Sequence, residues 1–208
     1  MVQKMSEDVN RNRLITDDVC EALKEGQTPI VLTGLTAHVE TLTKALAPHC
    51  KHVVTLVGSE PAKEKHRRME YLQNVQPSEP LVIVATGKYV GEGFDYPRLD
   101  TLFLALPVSW KGIVAQYAGR LHREYTGKKE VRIYDYIDIR MPMCDVMYRR
   151  RLKGYASEVI GSSRRNRCMY LLKAYKALFL TDTPIKSCFS MICPKPNIRS
   201  SFLQRGYG

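Results

Sequence analysis

Gln116, Arg120 and Arg123 are spaced i, i+4, i+7, which puts all three on one face of an α-helix. Val114, Ala118 and Leu121 fall on the opposite face, with Tyr117 beside them. The helix is therefore expected to pack one side into a core and to direct two guanidiniums and a carboxamide out of the other. A pair of exposed arginines is, taken alone, most simply a solvated charged face. Gly119 argues for more. A glycine costs a helix interior about 1 kcal/mol relative to alanine, and on the arginine face it leaves room for something bulky. A guanidinium is the side chain suited to charge developing on a transferring phosphoryl group.

A second segment could do chemistry. The apolar run Leu81 to Ala85 reads as a buried strand and continues as Thr86-Gly87-Lys88-Tyr89-Val90-Gly91-Glu92-Gly93-Phe94-Asp95. A strand ending in Ala-Thr-Gly presents backbone N–H groups and a hydroxyl at the strand's carboxyl end, where α/β sheets bind ligands. Gly91 and Gly93 permit a tight turn or a close backbone approach. Asp95 is placed to accept from a ribose hydroxyl or to pair with an arginine. The spacing is not a dinucleotide fingerprint, because that pattern needs glycine where Tyr96 stands. For this loop alone, a purely structural glycine turn is an equal alternative.

The elements that must position these residues alternate regularly. An amphipathic helix is expected from about Asn12 to Glu25 (Ile15, Val19, Ala22, Leu23), stopped by Gly26; residues 1–8 carry no clear signal. Ile30 to Thr33 reads as a strand, and Thr36 as the N-cap of a helix bearing Val39, Leu42, Ala45 and Leu46. Val53 to Val57 is a strand, and Pro61 opens a basic helix running to about Tyr71. Leu81 to Ala85 and Thr101 to Leu106 are the third and fourth strands. The arginine helix follows, capped at Ser109. After a turn at Gly127-Lys128-Lys129, Val131 to Ile137 alternates as a strand at a sheet edge. A basic helix is expected from Pro142 to about Ser157, and another from Arg164 through Leu171, Leu172, Tyr175 and Leu178. Strands alternating with helices imply a parallel sheet covered on both faces.

At 208 residues the chain is long enough for one domain with a full core and an appendage. No apolar run is long enough to span a bilayer, and no signal peptide is evident, so a cytoplasmic protein is expected. The six cysteines show no C-x-x-C pair or zinc spacing and read as free thiols, with no metal site. The net charge of +11 is unevenly placed. Residues 149–208 hold 13 Lys and Arg against 2 Asp and Glu, whereas residues 1–148 hold 19 of each. The asymmetry points to a polyanionic partner; a solvated basic tail is the alternative.

Taken together, the order A-T-G-x-x-x-x-E-G-F-D, a strand, then Q-x-x-G-R-x-x-R resembles motifs V and VI of superfamily 2 helicases and translocases. Ile30 to Gly34 resembles that family's motif IV strand, and Gly58 to Leu72 the strand end and helix that follow it. The resemblance covers roughly residues 8–155 and is to the second, C-terminal RecA-like domain of DEAD/DEAH-like helicases. It implies a helicase domain over residues 8–157, with a RecA-like parallel α/β sheet and helices on both faces. Residues 158–208 would form a basic, helical, partly irregular C-terminal extension. That extension resembles nothing in the family.

The resemblance also implies roles. Arg123 looks like the arginine finger that reaches the γ-phosphate of ATP, and Arg120 like the second arginine of that motif. Gly93, Asp95 and Gln116 would contact the nucleotide. Thr33, Gly34, Thr86 and Gly87 would contact the DNA or RNA backbone. The family's phosphate-cradling G-x-x-x-x-G-K-[ST] and its acidic metal-binding motif belong to the first RecA-like domain, and neither occurs here. The chain is thus expected to act as half of a motor. Its partner would be a first RecA-like domain, in cis or as a separate chain, and that domain would hold Mg²⁺. His122 reads as a packing or solvent-facing histidine, Trp110 as a loop anchor, and Glu92 has no catalytic role. The rival reading is a non-catalytic nucleic-acid-binding module that keeps a RecA-like fold.

Overall fold

The computed structural model describes residues 2–91, 94–107, 117, 119–121, 123–128, 130–138, 141–144, 146–151 and, for the main chain alone, 167–175 and 187–192. Five strands form the parallel sheet on which the site is built: β1 (Pro29–Thr33), β2 (His52–Leu56), β3 (Leu81–Thr86), β4 (Thr101–Leu104) and β5 (Glu130–Asp138). Between them run α3 (Thr36–Leu46), α4 (Ala62–Asn74) and a single helical turn, α5 (Gly87–Gly91). Ahead of the sheet lie α1 (Val2–Glu7) and α2 (Val9–Lys24). Two further strands, β6 (Arg167–Tyr175) and β7 (Ser187–Ile192), complete a sheet of order β2-β3-β1-β4-β5-β6-β7. Neighbours run parallel except β7, which is antiparallel to β6.

The central strands read as continuous apolar runs because both faces are covered. Every residue of β1, β3 and β4 is buried. Successive side chains alternate between the two faces. Ile30, Leu32, Ile83, Ala85, Leu102 and Leu104 enter one core, closed by α4 (Leu72), α5 (Tyr89, Val90), Phe94, Tyr117 and Leu121. Val31, Val82, Val84, Phe103 and Ala105 enter the other, closed by Ile15, Val19 and Ala22 of α2 and by Val39, Leu42 and Leu46 of α3. In-register pairs such as Ile30 with Ile83 and Ile30 with Leu102 keep each face apolar across the sheet.

The helix ends have local causes. The Asp8 carboxylate accepts from the Arg11 N–H at 3.0 Å and starts α2. Gly26, at φ 76°, ends it. The Gly26 N–H donates to the Leu23 carbonyl and the Gln27 N–H to the Ala22 carbonyl, each at 3.0 Å, the paired bonds of a glycine-terminated helix. Buried charged side chains are met by hydrogen bonds. The buried Arg11 guanidinium donates to the Ala105 carbonyl at 2.9 and 3.0 Å and to the Tyr136 carbonyl at 3.1 Å, at the carboxyl ends of β4 and β5. Arg151, in the helical stretch 146–151, grips the Asp135 carboxylate with both prongs, at 2.6 and 3.0 Å.

Several expectations need correction. Residues 2–7 are helical. Leu35 occupies the N-cap position of α3 with no side-chain cap bond, and Thr36 is already helical. α4 runs three residues beyond Tyr71. β4 stops at Leu104, two residues short of Leu106. The largest departure is the C-terminal extension, which is not helical where the structure describes it. Its apolar run Cys168 to Leu172 satisfies a helix or a strand pattern equally well. An unpaired β5 would present an open edge of backbone donors and acceptors. β6 occupies that edge in register from Glu130 with Arg167 to Asp138 with Tyr175, so β5 is an interior strand.

Candidate functional site

The carboxyl ends of β1 and β3 carry the residues singled out for chemistry, and they are built differently. At β3, Thr86 is 7% exposed, and its hydroxyl oxygen accepts from the Gly58 N–H at 3.0 Å, tying the β2–α4 connection to the strand end. The chain then makes the one turn of α5, enters the apolar core at Phe94 and emerges at Asp95. The segment expected as a glycine loop is thus helical in its first half.

Tyr117, Gly119, Arg120 and Leu121 are helical, and Tyr117 and Leu121 are buried against the sheet as the spacing predicts. Three side chains from this stretch fasten the 86–95 segment. The Tyr117 hydroxyl donates to the Gly87 carbonyl. The Arg120 guanidinium donates to the carbonyls of Val90 and Phe94. Arg123 Nη1 lies 2.9 Å from Asp95 Oδ2. The attachment is almost wholly to main chain, so it holds Gly87, Val90 and Phe94 whatever side chains they carry. The contact is close on Gly87, because a Cβ there would meet the Tyr117 hydroxyl oxygen at 3.2 Å.

The two arginines are therefore not equivalent, although they were expected to project together. Arg120 is half-buried and engaged on two carbonyls of the loop. Arg123 has more than half of its side-chain surface exposed. Its partner Asp95 is also partly open, and Asp95 Oδ1 has no hydrogen-bond partner among the described residues. Among the described residues nothing lies within 4 Å of a Cβ built on Gly119, so the flank beside Arg120 is open there, as the glycine predicts. The helix spacing marks Tyr117 only as a neighbour of the apolar face. The signal for its second role was a polar handle on an otherwise apolar helix face.

At β1, the Thr33 hydroxyl is 2.8 Å from His38 Nδ1, and His38 Nε2 is 2.9 Å from Asn12 Oδ1. The Asn12 amide nitrogen donates to the Ser6 carbonyl at 2.8 Å, which fixes which amide atom faces the imidazole. Protons therefore run one way: the Thr33 O–H donates to Nδ1, and the Nε2–H donates to Asn12. Burial, helped by the Arg11 charge, lowers the His38 pKa to about 4, so the imidazole is neutral. Thr33 is 1% exposed with its hydroxyl proton committed to His38, and it is not available to a nucleic-acid strand. Gly34, next in the chain, is exposed, with open space over its Cα.

Gln116 and Gly93 lie outside the described residues, as do His122, Trp110 and Glu92. Among the described residues no group of His, Cys, Asp or Glu is arranged to hold a metal ion, and Cys20, Cys50 and Cys144 are free thiols. No helix among them is long and apolar enough to cross a membrane.

No protein-family model matches the chain. Transcript termination protein A18 of fowlpox virus (strain NVSL) is 28% identical over 137 residues, covering 64% of this chain and 29% of that protein. The cowpox virus (strain Brighton Red) protein of the same name is 30% identical over 122 residues, covering 58% of this chain and 24% of its own length. The matched stretch thus spans less than a third of these relatives. Among solved structures, T4 UvsW superposes with a TM-score of 0.63 at 20% identity, covering 85% of this chain and 37% of that one. The C-terminal part of the Fun30 ATPase domain superposes with a TM-score of 0.50 at 15% identity, covering 62% and 40%. At these identities the structural likeness is one of fold.

Proposed function

We propose, from the premise that this chain has the fold of the C-terminal RecA-like domain of superfamily 2 helicases, that it supplies the arginine-bearing half of an ATP-driven nucleic-acid motor. The observation that carries the reading is the Arg123–Asp95 pair at 2.9 Å, partly exposed and held by a scaffold of main-chain bonds. The residues present fit a nucleotide. Arg123 offers a guanidinium more than half exposed to phosphate, the Asp95 carboxylate beside it is partly open to a ribose hydroxyl, and Gly119 leaves space on the helix flank. ATP is the substrate, and the Mg²⁺ that neutralises its phosphate charge would be held by a first RecA-like domain. Gly93 and Gln116 belong to the same nucleotide face by resemblance.

Arg123 is the arginine finger. It stabilises charge on the transferring γ-phosphoryl group, an effect on the order of 10³–10⁵ in rate. Arg120 stands beside it and keeps the 90–94 segment in place, which orders Asp95. The nucleic-acid backbone, DNA or RNA, is met by Gly34, by the Gly87 main chain and by the Thr86 hydroxyl proton, contacts that carry little sequence information. The name of the poxvirus relatives, transcript termination proteins, supports a nucleic-acid transaction of this kind.

The test is nucleic-acid-stimulated ATP hydrolysis, by this chain alone and then mixed with a candidate first RecA-like domain. Turnover only in the mixture is the expected result. No turnover in either case, with nucleic acid still bound, would replace the motor by a non-catalytic binding module.

A further inference from the structure

Lys128 belongs to none of the motifs above and reads from the sequence as a turn residue. The turn is closed by the Lys128 N–H on the Tyr125 carbonyl at 3.1 Å, with Gly127 at φ 92°. That left-handed residue swings the lysine side chain back beneath the end of the arginine helix. The ammonium donates to the carbonyls of Pro97 at 2.7 Å, Leu121 at 2.9 Å and Arg123 at 2.9 Å. An ammonium has three protons, and all three are used. The Leu121 and Arg123 carbonyls come from a helix end, where carbonyls lack intrahelical partners and a cation is favoured. Pro97 lies two residues beyond Asp95. One ammonium thus joins the two main-chain segments that carry Arg123 and Asp95. Burial pulls the Lys128 pKa down to about 8, against the opposing pull of the Asp100 carboxylate.

We infer that Lys128 is a positioning residue that fixes the separation of Arg123 from Asp95, and so sets the finger where charge develops on the transferring phosphoryl group. This rests on the proposed function. A generic surface lysine gains nothing from binding three main-chain carbonyls in a partly dehydrated position. A clamp that joins both sides of a site does, because a misplacement of about 1 Å can cost on the order of 10²-fold in rate.

The experiment has two arms and two variants. Lys128→Met keeps the length and removes all three donors, whereas Lys128→Arg keeps a cation with several donors. In the first arm, amide hydrogen exchange is followed on the chain alone. Lys128→Met is expected to speed exchange about tenfold or more in residues 94–98 and 119–124 while β1 and β3 stay protected. Uniform acceleration across the sheet would mean a merely structural lysine and would overturn the inference. In the second arm, turnover is measured in the mixture with a first RecA-like domain. Lys128→Met should lower kcat on the order of 10²-fold with little change in the KM for ATP, and Lys128→Arg should recover most of it. In an Arg123→Ala background, Lys128→Met should lower turnover no further, because the residue acts through Arg123. Undiminished turnover, or full additivity with Arg123→Ala, would overturn the inference. Absence of turnover in the wild-type mixture would overturn the proposed function instead, and the exchange arm alone would then decide whether Lys128 holds the pair.

Discussion

Two strand ends lie side by side on the sheet and are finished in opposite ways. Beyond β1, the Thr33–His38–Asn12–Ser6 chain is neutral and buried, and its donors and acceptors meet in a single direction. Beyond β3, charged groups are fastened to main-chain carbonyls, and one ion pair is left partly open to solvent. A neutral, satisfied chain in low dielectric locks two elements together and has nothing to offer a ligand. A guanidinium and a carboxylate that stay wet, on a backbone fixed by other donors, can change partners without disturbing the fold. The difference separates polarity sealed inside the fold from polarity that a ligand can reach, although both regions carry residues that the family resemblance marks.

The sharpest way to break this contrast is at Arg123. Arg123→Ala is expected to lower ATP turnover of the two-domain mixture by about 10³–10⁵-fold while leaving nucleic-acid affinity and the melting temperature nearly unchanged. A marked loss of stability would show that Arg123 is structural, like its counterparts at β1.

The next effect is on the neutral side and is read in pH. An unfolded His38 takes up a proton near pH 6.5, whereas the folded one does so only at about 4. The unfolded state therefore binds more protons in that window, and stability falls as pH drops from 6.5 toward 4. At 1.36 kcal/mol per pKa unit the loss is about 3 kcal/mol; above pH 6.5 the residue contributes none. Denaturant titrations of wild type and His38→Gln across pH 4–7 measure it. The expected outcome is a pH slope shallower by close to one proton in the variant, and identical slopes would mean that His38 is not held neutral. Thr33→Val comes after this. It removes the donor to Nδ1 and leaves a buried acceptor unpaired, at a cost of about 1–3 kcal/mol. Nucleic-acid affinity should be unchanged, because Thr33 is sealed from solvent. A fall in affinity at constant stability would return Thr33 to the strand-binding face.

Much of this arrangement was legible in the sequence, and the parts that were not have physical reasons. The apolar runs of β1, β3 and β4 announced a sheet buried on both faces, and Gly119 announced an open flank. Gly87 and Tyr117 form one contact from positions thirty residues apart, and no local period reports that. The unequal duties of Arg120 and Arg123 were hidden for a similar reason. Equal side chains on one helix face are separated only by what the 90–95 segment brings beneath each of them. The burial of Thr33 was hidden because its hydroxyl is taken up by His38 of α3, which is in turn held by Asn12 of α2, a residue far from it in the chain. The C-terminal strands were misread because the open edge of β5, not local spacing, decides their conformation.

The smallest expected effect is the most discriminating for how the two elements at β3 communicate. Gly87 sits in a one-turn helix at ordinary backbone angles, so alanine is favoured there by up to about 1 kcal/mol. Against that gain stands the approach of the new methyl to the Tyr117 hydroxyl oxygen, 3.2 Å, which the tyrosine can relieve by a few tenths of an ångström. The two terms nearly cancel, and Gly87→Ala should change stability by less than about 1 kcal/mol. Its consequence should be local: the Tyr117 hydroxyl is displaced from the Gly87 carbonyl, and the end of the segment proposed to meet nucleic acid is loosened from the arginine helix. Tyr117→Phe removes the same bond without the crowding. In the Tyr117→Phe background, alanine at position 87 should therefore be neutral or stabilising, with a coupling of about 0.5–1 kcal/mol between the two sites. Independent, additive effects would mean that the hydroxyl contact does not join these elements, and the link between them would then rest on Arg120 alone.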